Sequence, residues 1–165
     1  MKIIDKINRL LEEDQLQNGS PKKLLEMSPE LKAEQKRTWY SYEYFPPKTP
    51  AGKFRNSFKL FSGEENLIDR IARMGTTNPL WVDVTWRAGA GLCESTLELC
   101  KHIVQYMGLD VLMHITCTGM TREYIIDALD RAKEYGIRNI LALRGDPPFG
   151  QADWTPVENG FSNAT

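Results

Sequence analysis

Four polar residues of this chain stand at the ends of apolar, strand-like segments, where their side chains could do chemistry. They are Glu43, Thr85, His114 and Asp146. An acid, a hydroxyl, an imidazole and a second acid include the side chains that move protons in catalysis. Parallel α/β barrels build their active sites at the carboxyl ends of successive strands, so these equivalent positions predict one shared site.

The elements that must position these residues alternate between strands and helices from Trp39 onwards. Period-two apolar patterns predict the strands, and an apolar repeat of 3.6 residues predicts the helices between them. The strands are predicted at Trp39–Phe45, Leu80–Trp86, Val111–Thr116 and Asn139–Leu143, and the helices near Glu64–Met74, Ser95–Met107 and Thr121–Tyr135. This order is typical of βαβ units in a parallel sheet, so the predicted fold class is α/β.

An N-terminal extension, residues 1–37, precedes the strand–helix domain, residues 38–165. Apolar residues at helical spacing predict a helix over Met1–Glu13, and the turn-forming residues of Gln15–Pro21 are expected to end it. We expect Lys22–Lys36 to form a short helix or a partly ordered stretch. The extension is therefore interpreted as accessory to the chemistry.

The C-terminal end of the sequence stops before a barrel could close. Pro147–Gly160 is rich in proline, glycine and acidic residues and predicts a loop. Phe161–Thr165 is expected to be the first turn of a further helix. We therefore expect the sequence to be a truncated domain.

Composition narrows the classes of partner. With 165 residues and 41% hydrophobic content, the chain is large enough for one core. The net charge is −1 and no basic run is present, which argues against nucleic acid and against a membrane surface. Three cysteines without metal-type spacing, an absent signal pattern and no long apolar run indicate a soluble, cytoplasmic protein without a metal site. Small molecules or other proteins are the expected partners, and a homo-oligomer is left open.

Glu43 lies in the aromatic segment Tyr42–Pro47. Strand alternation places Tyr42 and Tyr44 on one face and Glu43 on the other, towards the interior of a barrel. Burial beside aromatic groups would favour the protonated carboxyl, which is the form that a general acid needs. A strand-end carboxylate paired with a lysine or arginine explains the residue equally well.

His114 and Thr85 carry weaker signals. A single histidine inside an apolar strand is more often a hydrogen-bonded core residue than a catalyst. Threonine is β-branched and suits a strand without any functional reason. The small-residue loop Trp86–Gly91 would let a ligand approach the backbone, although an ordinary turn is an equal interpretation.

The strongest local signal is the segment Leu141–Pro148, an apolar strand that ends in Arg144, Gly145 and Asp146. An arginine can bind a phosphate with two hydrogen bonds, and an aspartate can accept from a heterocyclic N–H. The alternative is a local ion pair between Arg144 and Asp146 that closes a turn.

Taken together, these motifs closely resemble those of the methylenetetrahydrofolate reductase family, in order and at matching spacing. The resemblance covers Thr38–Thr165 and is carried by Tyr42–Lys48, Val84–Trp86, His114–Cys117 and Asn139–Asp146. It implies a (β/α)8 barrel of which this chain holds the N-terminal half. It also implies FAD as cofactor, NADH or NADPH as reductant, and reduction of 5,10-methylenetetrahydrofolate to 5-methyltetrahydrofolate in folate and methionine metabolism.

The resemblance also implies a role for individual residues. Glu43 matches the general acid that helps open the five-membered ring of the folate. Positions that match flavin contacts are Thr85, Trp86, Ala88, His114, Arg144, Gly145, Asp146 and Ala164. Asp146 additionally matches the residue that holds the pterin ring of the substrate.

Two further interpretations remain. A non-catalytic half-barrel could act by pairing its open edges with another chain, and an unrelated small α/β binding domain could use the strand-end residues structurally. Because half a barrel leaves two sheet edges exposed, we expect the 165-residue chain alone neither to hold FAD tightly nor to turn over.

Overall fold

The computed structural model describes residues 1–18, 39–47, 63–86, 93–148 and 150–163. Its strands are β1 (Ser41–Tyr44), β2 (Trp81–Val84), β3 (Val111–Thr116) and β4 (Asn139–Leu143). Its α-helices are α1 (Ile3–Asn18), α2 (Gly63–Gly75), α3 (Cys93–His102) and α4 (Arg122–Glu134). A π-helical turn, Ile103–Met107, continues α3 and ends at Gly108, whose φ is 67°.

The strands form one parallel sheet in the order β1-β2-β3-β4, among the residues described. The register pairs Glu43 with Asp83, Asp83 with Leu112, and His114 with Leu141. The predicted α/β class and parallel sheet are therefore confirmed. The bounds of β3 and β4 are as predicted, while β1 and β2 are shorter at both ends than the sequence suggested.

One face of the sheet packs against the helices and forms the core. Tyr44, Val82, Val84, Met113 and Ile115 from the strands are all buried there. They belong to one cluster with helix residues that include Ile71, Leu97, Cys100, Ile103, Ala128 and Ala132. The opposite face, here called the open face, carries Glu43, Asp83, His114, Thr116, Leu141 and Leu143, because side chains alternate along each strand.

Helix α4 follows the local signals of its sequence. The side chain of Thr121 caps the N-terminus by accepting a hydrogen bond from the backbone N–H of Tyr124. Gly136, with a φ of 88°, follows the helix and turns the chain towards β4. This element carries the chain from the loop after β3 back to the start of β4.

Helix α1 lies against the N-terminal ends of three strands. The backbone N–H of Ile3 donates to the side chain of Asn139 at 2.7 Å, and Lys6 donates to the backbone carbonyl of Leu80 at 2.6 Å. Lys6 also lies 3.3 Å from a carboxylate oxygen of Asp110. These bonds attach α1 to the end of the sheet where the strands begin, which is opposite their carboxyl ends.

Two expectations for the ends of the chain need correction, and two others lie outside the described residues. The predicted end of the first helix at Glu13 is wrong, because α1 continues to Asn18. The predicted helical turn from Phe161 is not seen over 161–163, where the backbone bends after Gly160 bridges to Thr121. The stretch 22–36 and the boundary between 37 and 38 lie outside the described residues.

Within the described ranges, no helix combines the length and apolar character needed to cross a membrane.

Candidate functional site

The carboxyl ends of β2, β3 and β4 enclose a cleft of about 710 Å³. Its lining comes from Trp86 after β2, from Thr116, Thr118 and Gly119 at the end of β3, and from Leu143, Arg144, Gly145, Asp146, Pro147 and Pro148 at the end of β4. Trp86, Arg144, Gly145 and Asp146 were all selected from the sequence as candidates. The structure thus brings four of them together at one cleft.

Gly145 allows the turn after β4 to lie directly on the turn after β3. Its φ is 90°, and a Cβ atom added there would lie 2.9 Å from Cβ of Thr116 and would collide with the hydroxyl of Thr118. A residue with a side chain would therefore be both strained and overpacked. Gly145 therefore allows the turns after β3 and β4 to pack directly against each other at the base of the cleft.

Thr118 joins the loops that surround the cleft. Its buried hydroxyl lies 2.8 Å from the backbone carbonyl of Asp146 and accepts a hydrogen bond from the indole N–H of Trp154, also at 2.8 Å. One side chain thus fixes the turn that carries Arg144, Gly145 and Asp146. Sequence reasoning missed both Thr118 and Trp154, because nothing local marks a bond across 36 residues.

Arg144 lies over the ring of Trp154, with Cζ 5.3 Å from the ring centroid. This contact places a guanidinium at the rim of the cleft through a cation–π interaction. No ion pair joins Arg144 to Asp146, both of which are described, so the alternative of a turn closed by that pair finds no support. The guanidinium and the exposed carboxylate both remain able to contact a ligand.

Two buried polar atoms of the lining have no hydrogen-bond partner among the described residues. They are the indole nitrogen of Trp86, whose side chain is 8% exposed, and the hydroxyl oxygen of Thr116. A buried donor without a partner costs about 1–3 kcal/mol, so such atoms usually mark a ligand or a water. A polar ligand at the cleft would supply partners for these atoms.

A row of three titratable side chains crosses the open face beside the cleft. Nε2 of His114 lies 3.3 Å from Oδ1 of Asp83, and Nδ1 lies 3.9 Å from Oε1 of Glu43. Thr116, which lines the cleft, follows His114 by two residues on the same face, a rise of about 7 Å along the strand. The row and the cleft are therefore neighbours. No group of three His, Cys, Asp or Glu side chains in the described part of the chain is arranged to hold a metal ion.

The burial expected for Glu43 is not found. Its side chain is 50% exposed, against 14% for Asp83 and 11% for His114. The reason is its position on β1, which is an edge strand of the described sheet, on the face without helices. Among the described residues the titratable group beside it is the imidazole of His114, and not the lysine or arginine of the alternative interpretation.

Thr85 is not among the residues that line the cleft. Its backbone N–H donates to the carbonyl of Tyr44 at 3.0 Å, its hydroxyl lies 3.4 Å from that carbonyl, and its own carbonyl accepts from Thr96. These bonds give Thr85 a structural role at the end of β2. Ala88 and Ala164, the other two predicted contacts, lie outside the described residues.

Asp83 is the member of the row that the sequence analysis did not select. Its carboxylate accepts hydrogen bonds from the indole N–H of Trp81 at 2.8 Å and lies beside His114. A charged residue in the middle of the otherwise apolar strand Trp81–Val84 is unusual, because a buried charge is costly without partners. That signal was present in the sequence and could have identified the residue.

Comparison with known proteins finds a matching family for most of the chain. The model of the family described as methylenetetrahydrofolate reductase matches residues 29–165. The chain is 43% identical over 128 residues to a protein of Zea mays named methylenetetrahydrofolate reductase (NADH) 1, covering 78% of this chain and 20% of the relative. It is 47% identical over 127 residues to methylenetetrahydrofolate reductase 1 of Schizosaccharomyces pombe, covering 76% and 19%.

A bacterial relative is also similar. The 5,10-methylenetetrahydrofolate reductase of Pectobacterium carotovorum is 35% identical over 108 residues, which is 66% of this chain and 33% of that protein. The chain thus spans about a fifth of the length of the eukaryotic relatives it matches. The family resemblance inferred from the strand-end motifs is confirmed.

Proposed function

Because the chain belongs to the methylenetetrahydrofolate reductase family, we propose that it forms part of a flavin-dependent reductase barrel. The reaction would be the reduction of 5,10-methylenetetrahydrofolate to 5-methyltetrahydrofolate, with FAD as cofactor and NADH or NADPH as the source of electrons. One observation carries the proposal. The turns after β2, β3 and β4 enclose a single cleft, and the Glu43–Asp83–His114 row lies next to it.

The sheet supports a half-barrel. Its strands are parallel and follow one another in chain order, as in a (β/α)8 barrel, whereas a doubly wound sheet reverses its order. The described helix residues of the core pack on one face only, and Leu141 and Leu143 are 38% and 37% exposed on the other. Further strands paired to β1 and β4 would cover that face and close the barrel.

The cleft residues would hold FAD. Arg144 supplies a cation for an acidic or carbonyl oxygen, Trp86 supplies a buried N–H donor, and the turn at Gly145 leaves backbone close to the ligand. When bound, FAD would supply the two-electron transfer between the nicotinamide and the folate. Asp146, exposed at the rim, would accept hydrogen bonds from the pterin ring.

Glu43 would act as the general acid. A protonated carboxyl at this position would donate its proton to a nitrogen of the five-membered folate ring, which opens the ring and leaves a carbon that accepts hydride. The half-exposed position of Glu43 gives the substrate access to the carboxyl. Closure of the barrel over the open face would reduce the exposure of this group to water.

A titration of the purified chain with FAD tests the proposal through quenching of flavin fluorescence. We expect weak, saturable binding that Arg144→Ala lowers at least about tenfold, the usual effect of losing a charge-assisted contact. Arg138→Ala, which removes an arginine at the other end of β4, is the matched control and should bind as the parent does. We expect no flavin to remain after gel filtration. Absence of quenching, or equal affinity in the two variants, would contradict a flavin site at this cleft.

A second function is favoured by the exposed leucines of β4. A half-barrel with open edges could act by pairing with another chain, a second copy included. Sedimentation of the chain across a range of concentrations tests this, since self-pairing would raise the sedimentation coefficient. The cytoplasmic location of the protein stays a prediction.

A further inference from the structure

The carboxylate of Asp83 is held between two nitrogen atoms, one on each oxygen. Trp81 Nε1 lies 2.8 Å from Oδ2, and His114 Nε2 lies 3.3 Å from Oδ1. The indole nitrogen can only donate a hydrogen bond. Trp81 thus bonds to one oxygen of the carboxylate, and His114 lies beside the other.

This arrangement determines which nitrogen of His114 carries the proton. An ionised carboxylate accepts hydrogen bonds and cannot donate them, so Nε2 must be the N–H donor. In a neutral imidazole the other nitrogen, Nδ1, is then an acceptor. Nδ1 is also the atom nearer to Glu43, with Oε1 at 3.9 Å.

We propose that Asp83 is a positioning residue that fixes His114 as the Nε2–H tautomer and thereby presents an acceptor nitrogen to Glu43. The inference rests on the proposed function, because it gives Glu43 the role of general acid. Asp83 lies on β2, between the strands that carry Glu43 and His114, and its proposed role depends on its contact with the imidazole.

The tautomer matters because a general acid must hold its proton until the substrate is in place. An acceptor at Nδ1 can bond to the protonated carboxyl of Glu43, and that bond favours the protonated form. The opposite tautomer would present an N–H donor, which favours the carboxylate. The bond requires the half-exposed Glu43 side chain to rotate towards Nδ1, which lies 3.9 Å from Oε1.

Asparagine at position 83 provides a sharp test because it has one acceptor oxygen where aspartate has two. Trp81 cannot accept, so its N–H would keep that oxygen and turn the amide N–H group towards His114. Nε2 would then have to accept, and the proton would move to Nδ1. Asp83→Asn is therefore expected to exchange the tautomer.

The experiment is ¹⁵N NMR of the imidazole nitrogens in the full 165-residue chain, recorded at alkaline pH so that the neutral tautomers are observed. Only two histidines are present, so His102 serves as an internal reference. We expect the Nε2–H form of His114 in the parent chain and the Nδ1–H form in Asp83→Asn. In the double variant with Trp81→Phe the amide oxygen is free to turn back, and we expect the Nε2–H form to return.

Asp110→Asn is the matched control. Asp110 is a carboxylate of similar burial, 18% exposed, at the opposite end of the sheet, and its substitution should leave the His114 tautomer unchanged. An Nδ1–H form in the parent chain overturns the proposal even where the asparagine variant does not fold. An unchanged tautomer in a folded Asp83→Asn variant also overturns it.

The outcome is separable from that of the proposed function, because the NMR experiment needs no flavin. A chain that fails to bind FAD but shows the tautomer exchange keeps the Asp83 arrangement and loses the flavin site. A chain that binds FAD but shows no exchange keeps the flavin site and loses the positioning role.

Discussion

Trp154 donates its indole N–H to the hydroxyl of Thr118, and this bond of 2.8 Å connects the loop after β4 to the loop after β3. Trp154 also carries Arg144 on its ring face. The position of the guanidinium therefore depends on a side chain that is ten residues further along the chain. The bond gives the loop a defined place over the carboxyl ends of the strands.

Removal of that hydroxyl should destabilise the chain. Thr118→Val keeps the shape of the side chain but leaves the indole N–H of Trp154 without its acceptor. We expect the free energy of unfolding to fall by about 1–3 kcal/mol, as for other donors left unpaired. Urea denaturation measures this. Thr76→Val, which removes an exposed hydroxyl bonded to a backbone carbonyl, should change the stability by less than about 0.5 kcal/mol.

Alanine at Gly145 should disturb the floor of the cleft more than alanine at Gly150. Both glycines have a similar positive φ, 90° and 85°, but only Gly145 has side chains in the path of a Cβ atom. The backbone strain is thus shared, and the difference between the variants isolates the steric effect. We expect Gly145→Ala to be less stable than Gly150→Ala by about 1–3 kcal/mol in urea denaturation. Equal stabilities would show that the turn can move away from Thr118.

The ion pair between α3 and α4 should stabilise the chain only above acidic pH. Arg131 hydrogen-bonds to both carboxylate oxygens of Glu94, and these bonds hold the pKa of Glu94 below its usual value of 4.5. A lowered pKa in the folded state means that the stabilisation is complete above about pH 4.5 and disappears as the pH falls through the folded value.

Glu94→Gln tests this dependence. Because the carboxylate is partly exposed, we expect a loss of no more than about 1 kcal/mol at pH 7. The difference from the parent chain should shrink towards zero in thermal unfolding experiments at progressively lower pH. Asp69→Asn breaks an exposed pair with Arg73 within one helix and should show little effect at any pH. A Glu94→Gln difference that persists in acid would contradict this assignment.

The cysteines should react slowly in the native chain. Cys93, Cys100 and Cys117 are all buried, and desolvation raises the pKa of the Cys100 and Cys117 thiols, which disfavours the reactive thiolate. With an aromatic disulfide reagent near pH 8 we expect little reaction before unfolding and three thiols per chain in denaturant. Rapid reaction of one thiol under native conditions would show that its surroundings open.

Asp110 should hold α1 against the sheet. Asp110→Asn weakens the contact with Lys6, so we expect faster hydrogen exchange in α1 with little change in β3 or α4. Arg9→Ala, which removes an exposed contact within α1 to Glu13, is the control and should leave the docking of the helix intact. Uniform acceleration across the sheet in Asp110→Asn would indicate global destabilisation instead.

The local patterns of the sequence predicted the strands and helices well, because apolar periodicity reports directly on burial. β3 and β4 have the predicted bounds, and the helix predicted from Thr121 begins there, with Thr121 as the N-cap of α4. The end of α1 was wrong because Gln15–Gln17 tolerate a helix, and the turn-forming residues begin only at Asn18.

The candidate site was predicted in its strand-end positions but not in its connections. Trp86 and Arg144 could be selected because each follows a recognisable strand. The Thr118–Trp154 bond joins residues that are distant in sequence, and the contact of Asp83 with His114 depends on the packing of β2 beside β3. Contacts of this kind depend on the register between neighbouring strands. The sequence of one strand taken alone does not specify that register.

The attachment of α1 has a consequence for the order of events during synthesis. Its polar partners are Leu80, Asp110 and Asn139, and the bond from Ile3 to Asn139 spans 136 residues. Helix α1 therefore cannot complete its docking until the start of β4 has emerged from the ribosome. Contacts of such long sequence separation form late because the intervening chain must first be ordered. Until then, the apolar side of α1 stays exposed in the nascent chain, where a chaperone could bind it.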